Sequence, residues 1–297
     1  MNGACTVTRR VIHFALFAIS VAVTIFGLRI AAWSDIPKEL RVSAIPDENP
    51  TELVRIYTPF VEYLSKELGI PVRYYNVVDY AATVEGMAAK KLDMVWYGGF
   101  TFVQTRKRTG DAIPVVSREE DLKFHSKFIT RPETGIKSLA DLKGKTFSFG
   151  SVSSTSGHLM PRYFLLQNGI NPEKDFAKFS FSGAHDATAL WVESGKVDAG
   201  ALNEAVWEKL VQTKKVDPGK VKVFWTTPPF VDYVWAVRGD LDKSLVERIA
   251  SALLKLDSKK PEDKRLLDLH RTKKYVRVKA EDFKPVEEAA IAAGLLK

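Results

Sequence analysis

Cysteine is almost absent from this 297-residue chain, the only one being Cys5 in a segment that reads as a removable leader. A single cysteine closes no internal disulfide, which excludes a small stapled scaffold. Beyond the leader it also excludes a Cys nucleophile and a Cys metal site. Histidine is scarce too. The five, at 13, 125, 158, 185 and 270, show no metal-ligand spacing, so neither a metal nor another cofactor is expected. Gly144-Lys145-Thr146 resembles the end of a phosphate-binding P-loop, but Leu139 stands where the loop needs its first glycine. No low-complexity segment and no short-period repeat interrupts the chain. No run of one charge is longer than three residues, as in Arg106-Lys107-Arg108 and Glu119-Glu120-Asp121. The densest basic stretch, residues 255–279, also carries Asp257, Glu262, Asp263 and Asp268, which describes a solvated surface and not a nucleic-acid face.

What is present begins with an export pattern. Arg9 and Arg10 precede an apolar run, residues 11–28, broken only by His13, Ser20 and Thr24, and Ala32-Trp33-Ser34 fits a small-x-small cleavage site before Asp35. The run is near spanning length, so the alternative is an uncleaved membrane anchor. Cys5 precedes the run and so is not a lipidated first residue of the processed chain. The expected leader, residues 1–34, holds three of the 44 Lys and Arg and none of the 36 Asp and Glu, which leaves 41 against 36, a formal charge of about +5. Such a mild positive field draws anions toward the surface. About 263 residues remain, enough for one large or two medium domains.

These residues alternate between strand-like and helix-like segments. Strands are expected at 40–45, 72–78, 92–97 and 112–116, with helices at 51–68, 80–90 and 100–107 between them. The helix at 51–68 carries Leu53, Ile56, Phe60, Val61, Leu64 and Leu68 at helical spacing and stops at Gly69. An extended passage at 123–130 follows. The alternation then restarts: strands at 146–149, 176–182, 197–202 and 221–226, helices at 158–167, 185–193 and 204–213. After a second extended passage, 231–237, helices dominate to the end. This order predicts an α/β fold of two lobes, each a mostly parallel sheet flanked by helices, with a ligand cleft between them. One lobe is expected to take residues 35–130 and 232–297, the other 131–231.

The most informative motif is Gly150-Ser-Val-Ser-Ser-Thr-Ser-Gly-His158, between a strand and a helix. Backbone N–H groups left free at a helix start, three hydroxyls (Ser154, Thr155, Ser156) and the positive end of the helix dipole together suit an oxyanion held by neutral donors. The plainer reading is an ordinary N-cap, although a cap needs only one hydroxyl.

Taken together, several motifs resemble the periplasmic phosphonate- and phosphite-binding proteins of ABC transporters, which have a type II periplasmic-binding fold. The resemblance runs from about Leu40 to the C-terminus. It rests on Asp79-Tyr80, Ser153-Ser-Thr-Ser-Gly157, Gly183-Ala-His-Asp186, Val197-Asp-Ala-Gly200, Pro228-Pro-Phe-Val-Asp232, and the tail motifs Tyr275-Val-Arg-Val and Asp282-Phe-Lys-Pro-Val. The segment Ala44-Ile-Pro-Asp-Glu-Asn-Pro50 is closer to a selenate-binding branch. The resemblance implies a periplasmic monomer that captures a small oxyanion and passes it to an inner-membrane permease. It implies ligand contacts from Tyr80, Ser154, Thr155, Ser156, His185 and Asp232, and from Glu204 if a one-residue gap is allowed. A second tyrosine of the family falls near Phe124, which has no hydroxyl, so His125 or Ser126 is the candidate substitute there.

Each role also makes chemical sense alone. Tyr80 can aim a phenol from a helix start, or pack as a core tyrosine. His185 can donate from a ring nitrogen. Asp232 repels an anion unless the ligand keeps a proton to donate to it, which suits a protonated oxyanion. Tyr97 closes a strand beside Gly98-Gly99 and either lines the cleft or packs in the core. Two other functions fit less well. A phosphate-ester hydrolase or transferase would use Ser156 as nucleophile, but no Gly-x-Ser-x-Gly elbow surrounds it. A binder of other organic anions usually holds a carboxylate with an arginine, and no arginine stands out near the candidate ligand residues.

Overall fold

The computed structural model describes residues 36–297; the expected leader lies outside the described residues. From Ile36 onward the chain builds two sheets in succession. It lays down β1 (Leu40–Ala44), β2 (Val72–Tyr74), β3 (Met94–Tyr97) and β4 (Ile113–Arg118), then crosses over as β5 (Ser126–Thr130). There it adds β6 (Thr146–Phe149), β7 (Lys178–Phe181), β8 (Ala199–Asn203) and β9 (Lys222–Thr226), and it returns as β10 (Val234–Val237) and β11 (Tyr275–Arg277). The first sheet runs β2-β1-β3-β10-β4-β11 and the second β7-β6-β8-β5-β9.

The pairing explains the two extended passages. β1 is parallel to β2 and β3, and β6 is parallel to β7 and β8. In each sheet the strand arriving from the other half inserts against that direction: β10 is antiparallel to β3 and β4, and β5 to β8 and β9. The sheets are therefore mixed, where the alternation pattern suggested mostly parallel ones. Ser126–Thr130 is a strand of the second sheet, so the first crossover comes before residue 126, earlier than the boundary at 130 drawn from the sequence.

Helices flank both sheets: α1 (Pro50–Leu68), α2 (Tyr80–Ala88) and α3 (Gly99–Thr109) beside the first, α4 (Met160–Gln167), α5 (Pro172–Asp175), α6 (His185–Glu193) and α7 (Glu204–Gln212) beside the second, then α8 (Lys243–Leu254), α9 (Pro261–Leu269) and α10 (Lys284–Ala292). α1 forms where the periodicity put it. Asn49 caps its start by accepting from the Glu52 N–H, and Gly69, at φ 63°, ends it in the left-handed region. Its expected apolar face is buried throughout. In the second sheet, alternate side chains of β5 part to opposite faces: Phe128 joins Phe147 and Phe149, while Ile129 joins Leu202 and Val206. Among the described residues no helix is long and apolar enough to cross a membrane, and no cluster of His, Cys, Asp and Glu is arranged to hold a metal.

Strand C-terminal ends and helix N-termini from both halves meet at one place. β3 ends at Gly98-Gly99, where α3 begins; β6 ends at the Gly150–Gly157 loop; α2 begins at Tyr80 and α6 at His185.

Candidate functional site

Asp79 caps α2 by accepting from the Ala82 N–H at 2.8 Å, which sets Tyr80 as the first helical residue with its ring fully buried. Burial raises the Tyr80 phenol well above its ordinary pKa, so its hydroxyl remains a donor. The serine-rich loop does more than cap a helix. Ser154 accepts from the Gly157 N–H at 3.0 Å, and residues Thr155–Leu159 wind as a single π-helical turn before α4. Ser154, Thr155 and Ser156 are all buried. The first N–H groups of such a turn have no acceptor within it.

Asp232 comes from the second crossover. Its Oδ1 accepts from the Gly99 N–H at 3.0 Å, at the very start of α3. Thr155 Oγ1 accepts from the next amide, Phe100 N–H, at 2.9 Å, and Thr101 Oγ1 donates to the Ser153 carbonyl at 2.8 Å. The amino end of α3 thus ties the cradle loop to the carboxylate. Glycine is required there, because a Cβ on Gly98 would lie 2.9 Å from Thr155 Oγ1 and 3.3 Å from Asp232 Oδ1. Gly157 is equally confined: a Cβ would meet Ser154 Oγ at 2.9 Å and His185 Cε1 at 3.0 Å. Burial pushes the Asp232 carboxyl up to about 7, against the pull of the Gly99 amide and the Thr155 hydroxyl.

Three buried atoms at this junction have no hydrogen-bond partner among the described residues: Tyr80 Oη, Ser156 Oγ and Asp232 Oδ2. Buried polar atoms are normally satisfied, and each one left over costs about 1–3 kcal/mol. They come from three separate parts of the chain, and Ser154 and Ser156 lie close enough to favour the ionised forms of Tyr80 and Asp232 respectively. The set offers two hydroxyls that can donate and one carboxylate oxygen that can accept.

The other expected residues are arranged differently. Both ring nitrogens of His185 are engaged: Nδ1 accepts from the Asn203 N–H and Nε2 lies against Tyr233 Oη, each at 3.3 Å. Burial lowers its pKa to about 3, so the ring is neutral, with its proton on Nε2. Tyr233 Oη also accepts from Asn203 Nδ2 at 2.7 Å. His185 is therefore joined to Asn203 and to Tyr233, the neighbour of Asp232 in the chain. Tyr97 points away, its hydroxyl donating to the Thr83 carbonyl at 3.0 Å. Phe124 pairs with Phe230 and packs edge-on against Tyr233. His125 Nδ1 bonds the Thr227 carbonyl at 2.7 Å, and Ser126 Oγ donates to the Ser156 carbonyl at 2.7 Å, holding the cradle from behind. Glu204 accepts from the His125 N–H at 3.0 Å and pairs with Lys127 at 3.3 Å.

Sequence reasoning missed Tyr233, Asn203 and Asp47. Tyr233 directly follows Asp232, and that adjacency was a usable signal. Asp47 sits on the loop after β1, its carbonyl accepting from the His185 N–H at 2.9 Å. Burial and the neighbouring Glu48 push its carboxyl up to about 7, while Arg271 and a hydrogen bond from Tyr233 pull it down.

Known proteins match this chain in sequence and in overall fold. Residues 42–283 fit the family described as ABC transporter, phosphonate, periplasmic substrate-binding protein. The Prochlorococcus marinus (strain MIT 9301) protein named "Probable ABC transporter phosphite binding protein PhnD1" is 40% identical over 264 residues, covering 85% of this chain and 89% of its own. The Escherichia coli (strain K12) phosphonates-binding periplasmic protein is 28% identical over 239 residues, 78% of this chain and 70% of its own. The solved structure of Prochlorococcus marinus PhnD1 in complex with methylphosphonate superposes with a TM-score of 0.84 at 38% identity, over 88% of this chain and all of that one. A Pseudomonas aeruginosa phosphonate-transporter binding protein gives 0.79 at 25% identity, over 88% and 87%. The chain belongs to the phosphonate family of periplasmic substrate-binding proteins, in which it is the solute-binding and non-catalytic component of an ABC importer for small oxyanions such as phosphonate and phosphite.

Proposed function

We propose that the junction of Tyr80, Ser154, Thr155, Ser156 and Asp232 holds one tetrahedral oxyanion of the phosphite and phosphonate class carrying a single proton. The observation behind this is the trio of buried atoms lacking partners, Tyr80 Oη, Ser156 Oγ and Asp232 Oδ2. An anion with one O–H accepts from the two hydroxyls and donates to the carboxylate. A bare dianion leaves the carboxylate facing an acceptor, which is costly in a closed, water-poor site. His185 contributes through Tyr233 and not by direct contact. The protein works as two lobes, roughly 36–125 with 232–297 and 126–231, closing on the anion about the two crossovers. It acts as a monomer after loss of its leader and delivers its cargo to an inner-membrane permease.

Titration calorimetry at pH 8, where Asp232 is mostly ionised, against phosphite, methylphosphonate, phosphate, selenite and selenate tests this reading. Saturable one-to-one binding of phosphite or methylphosphonate, tighter than selenate, is expected. Selenate binding as tight as either would contradict selection by the proton.

A further inference from the structure

Three consecutive residues of the first half of the molecule, Asp47, Glu48 and Asn49, each bond to the second half. The Asp47 carbonyl accepts from the His185 N–H at 2.9 Å. The Asn49 N–H and Nδ2 donate to Asp186 Oδ2 at 3.0 and 3.1 Å. Glu48 Oε2 takes Lys209 Nζ at 2.5 Å, and one turn into α1 Glu52 Oε1 takes the same ammonium at 2.6 Å. Lys209 projects from α7, on the far side of the cleft. None of these groups is among the atoms assigned to the anion. Glu52 and Lys209 line, with Arg55, Glu204 and Arg271, a separate cavity of about 560 Å³.

The carboxylates that receive Lys209 are already held within their own half. Glu48 Oε1 pairs with Arg271 Nη1 at 2.8 Å, and Glu52 pairs with Arg55 Nη2 at 2.5 Å. The Glu48 side chain is 2% exposed and that of Glu52 9%, against 15% for Lys209. Burial alone would raise the Glu48 carboxyl, but Arg271 and Lys209 hold it below the usual carboxylate range. The Arg55 contact, helped by Lys209, brings Glu52 down to about 2. Lys209 therefore enters a pair of charged acceptors that needs little rearrangement to receive it. That limits the ordering cost of the contact.

We propose that Lys209 is a closure latch: it touches no anion, but by docking between Glu48 and Glu52 it holds the lobes shut and strengthens retention of whichever oxyanion has entered. It is a positioning residue, and it rests on the reading above that the lobes close over a small oxyanion. Because the latch engages only after closure, its loss falls on dissociation and leaves association unchanged. Because it does not see the cargo, the loss is the same for different cargoes.

The test compares wild type with Lys209→Met and Lys209→Arg, using phosphite and methylphosphonate as probes, with calorimetric affinity and stopped-flow fluorescence for the rates. Lys209→Met should bind both probes about tenfold more weakly, by the same factor, with the change in the dissociation rate. Lys209→Arg should recover most of the loss. The double variant Glu48→Gln/Glu52→Gln should reproduce Lys209→Met, and it serves if the latter folds poorly. Affinity within about twofold of wild type in both variants would overturn the latch. So would a loss that differs between the probes, which would make Lys209 a ligand contact. If the wild type binds neither probe, the reading of the site itself fails and the latch falls with it.

Discussion

Replacing Asp232 with Asn changes one buried oxygen and tests how protonation controls selection. In the folded protein burial raises this carboxyl from 3.8 to about 7, against the Gly99 amide. Its Oδ2 is a donor below that pH and an acceptor above it. Selenate carries no proton across the range of interest, so its binding reads the state of Asp232 alone. Above pH 7 each unit should weaken selenate binding up to about tenfold, since one pKa unit corresponds to about 1.4 kcal/mol. From pH 7, where half of the carboxyls are protonated, to pH 9 the expected loss is roughly 50-fold. A side-chain amide does not titrate, so Asp232→Asn should flatten the profile and bring selenate closer to methylphosphonate at pH 9. Calorimetry in two buffers of different ionisation enthalpy supplies a second reading: at pH 8.5 the wild type should take up about one more proton per methylphosphonate bound than the variant. Selenate binding by the wild type that is flat or stronger from pH 7 to pH 9, or equal proton uptake in both proteins, would refute the reasoning.

Thr155→Ala removes a hydroxyl that accepts from the Phe100 N–H across the cleft and donates to the Asp232 carboxylate. Hydrogen bonds to charged groups are worth about 1.5–3 kcal/mol, so calorimetry should record roughly 10- to 150-fold weaker binding with the fold intact. Small-angle scattering should give a smaller radius of gyration on saturation with methylphosphonate, because lobe closure shortens the molecule across the hinge. Gly98→Ala should weaken binding without lowering the melting temperature of the ligand-free protein much. Its Cβ would stand 2.9 Å from Thr155 Oγ1, a contact that exists only when the halves meet.

The helices were legible because their signals are local. The apolar stripe of α1 and its Gly69 stop both act within the segment. The α6 range, His185–Glu193, follows from the same logic. The direction of β5 and β10 was not legible, because a short apolar run reads the same whether it pairs parallel or antiparallel. Only the partner strands decide. β11 was hidden for a similar reason: three residues, Tyr275–Arg277, carry too little periodicity to stand out. The cradle loop and Asp79-Tyr80 were visible as motifs, since capping chemistry is written in adjacent residues. The hydrogen bonds of His185 were not, because their partners Asn203 and Tyr233 lie 18 and 48 residues away in the chain. Glu48 and Lys209 are 161 residues apart and look like ordinary surface charges until the fold brings them together.

A crystal structure of the protein grown with methylphosphonate tests the central claim most directly. The phosphonate should lie between the two sheets, with Tyr80 Oη, Ser156 Oγ and Asp232 Oδ2 each within hydrogen-bond distance of its oxygens. An anion bound elsewhere, with those three atoms still lacking a partner, would contradict it.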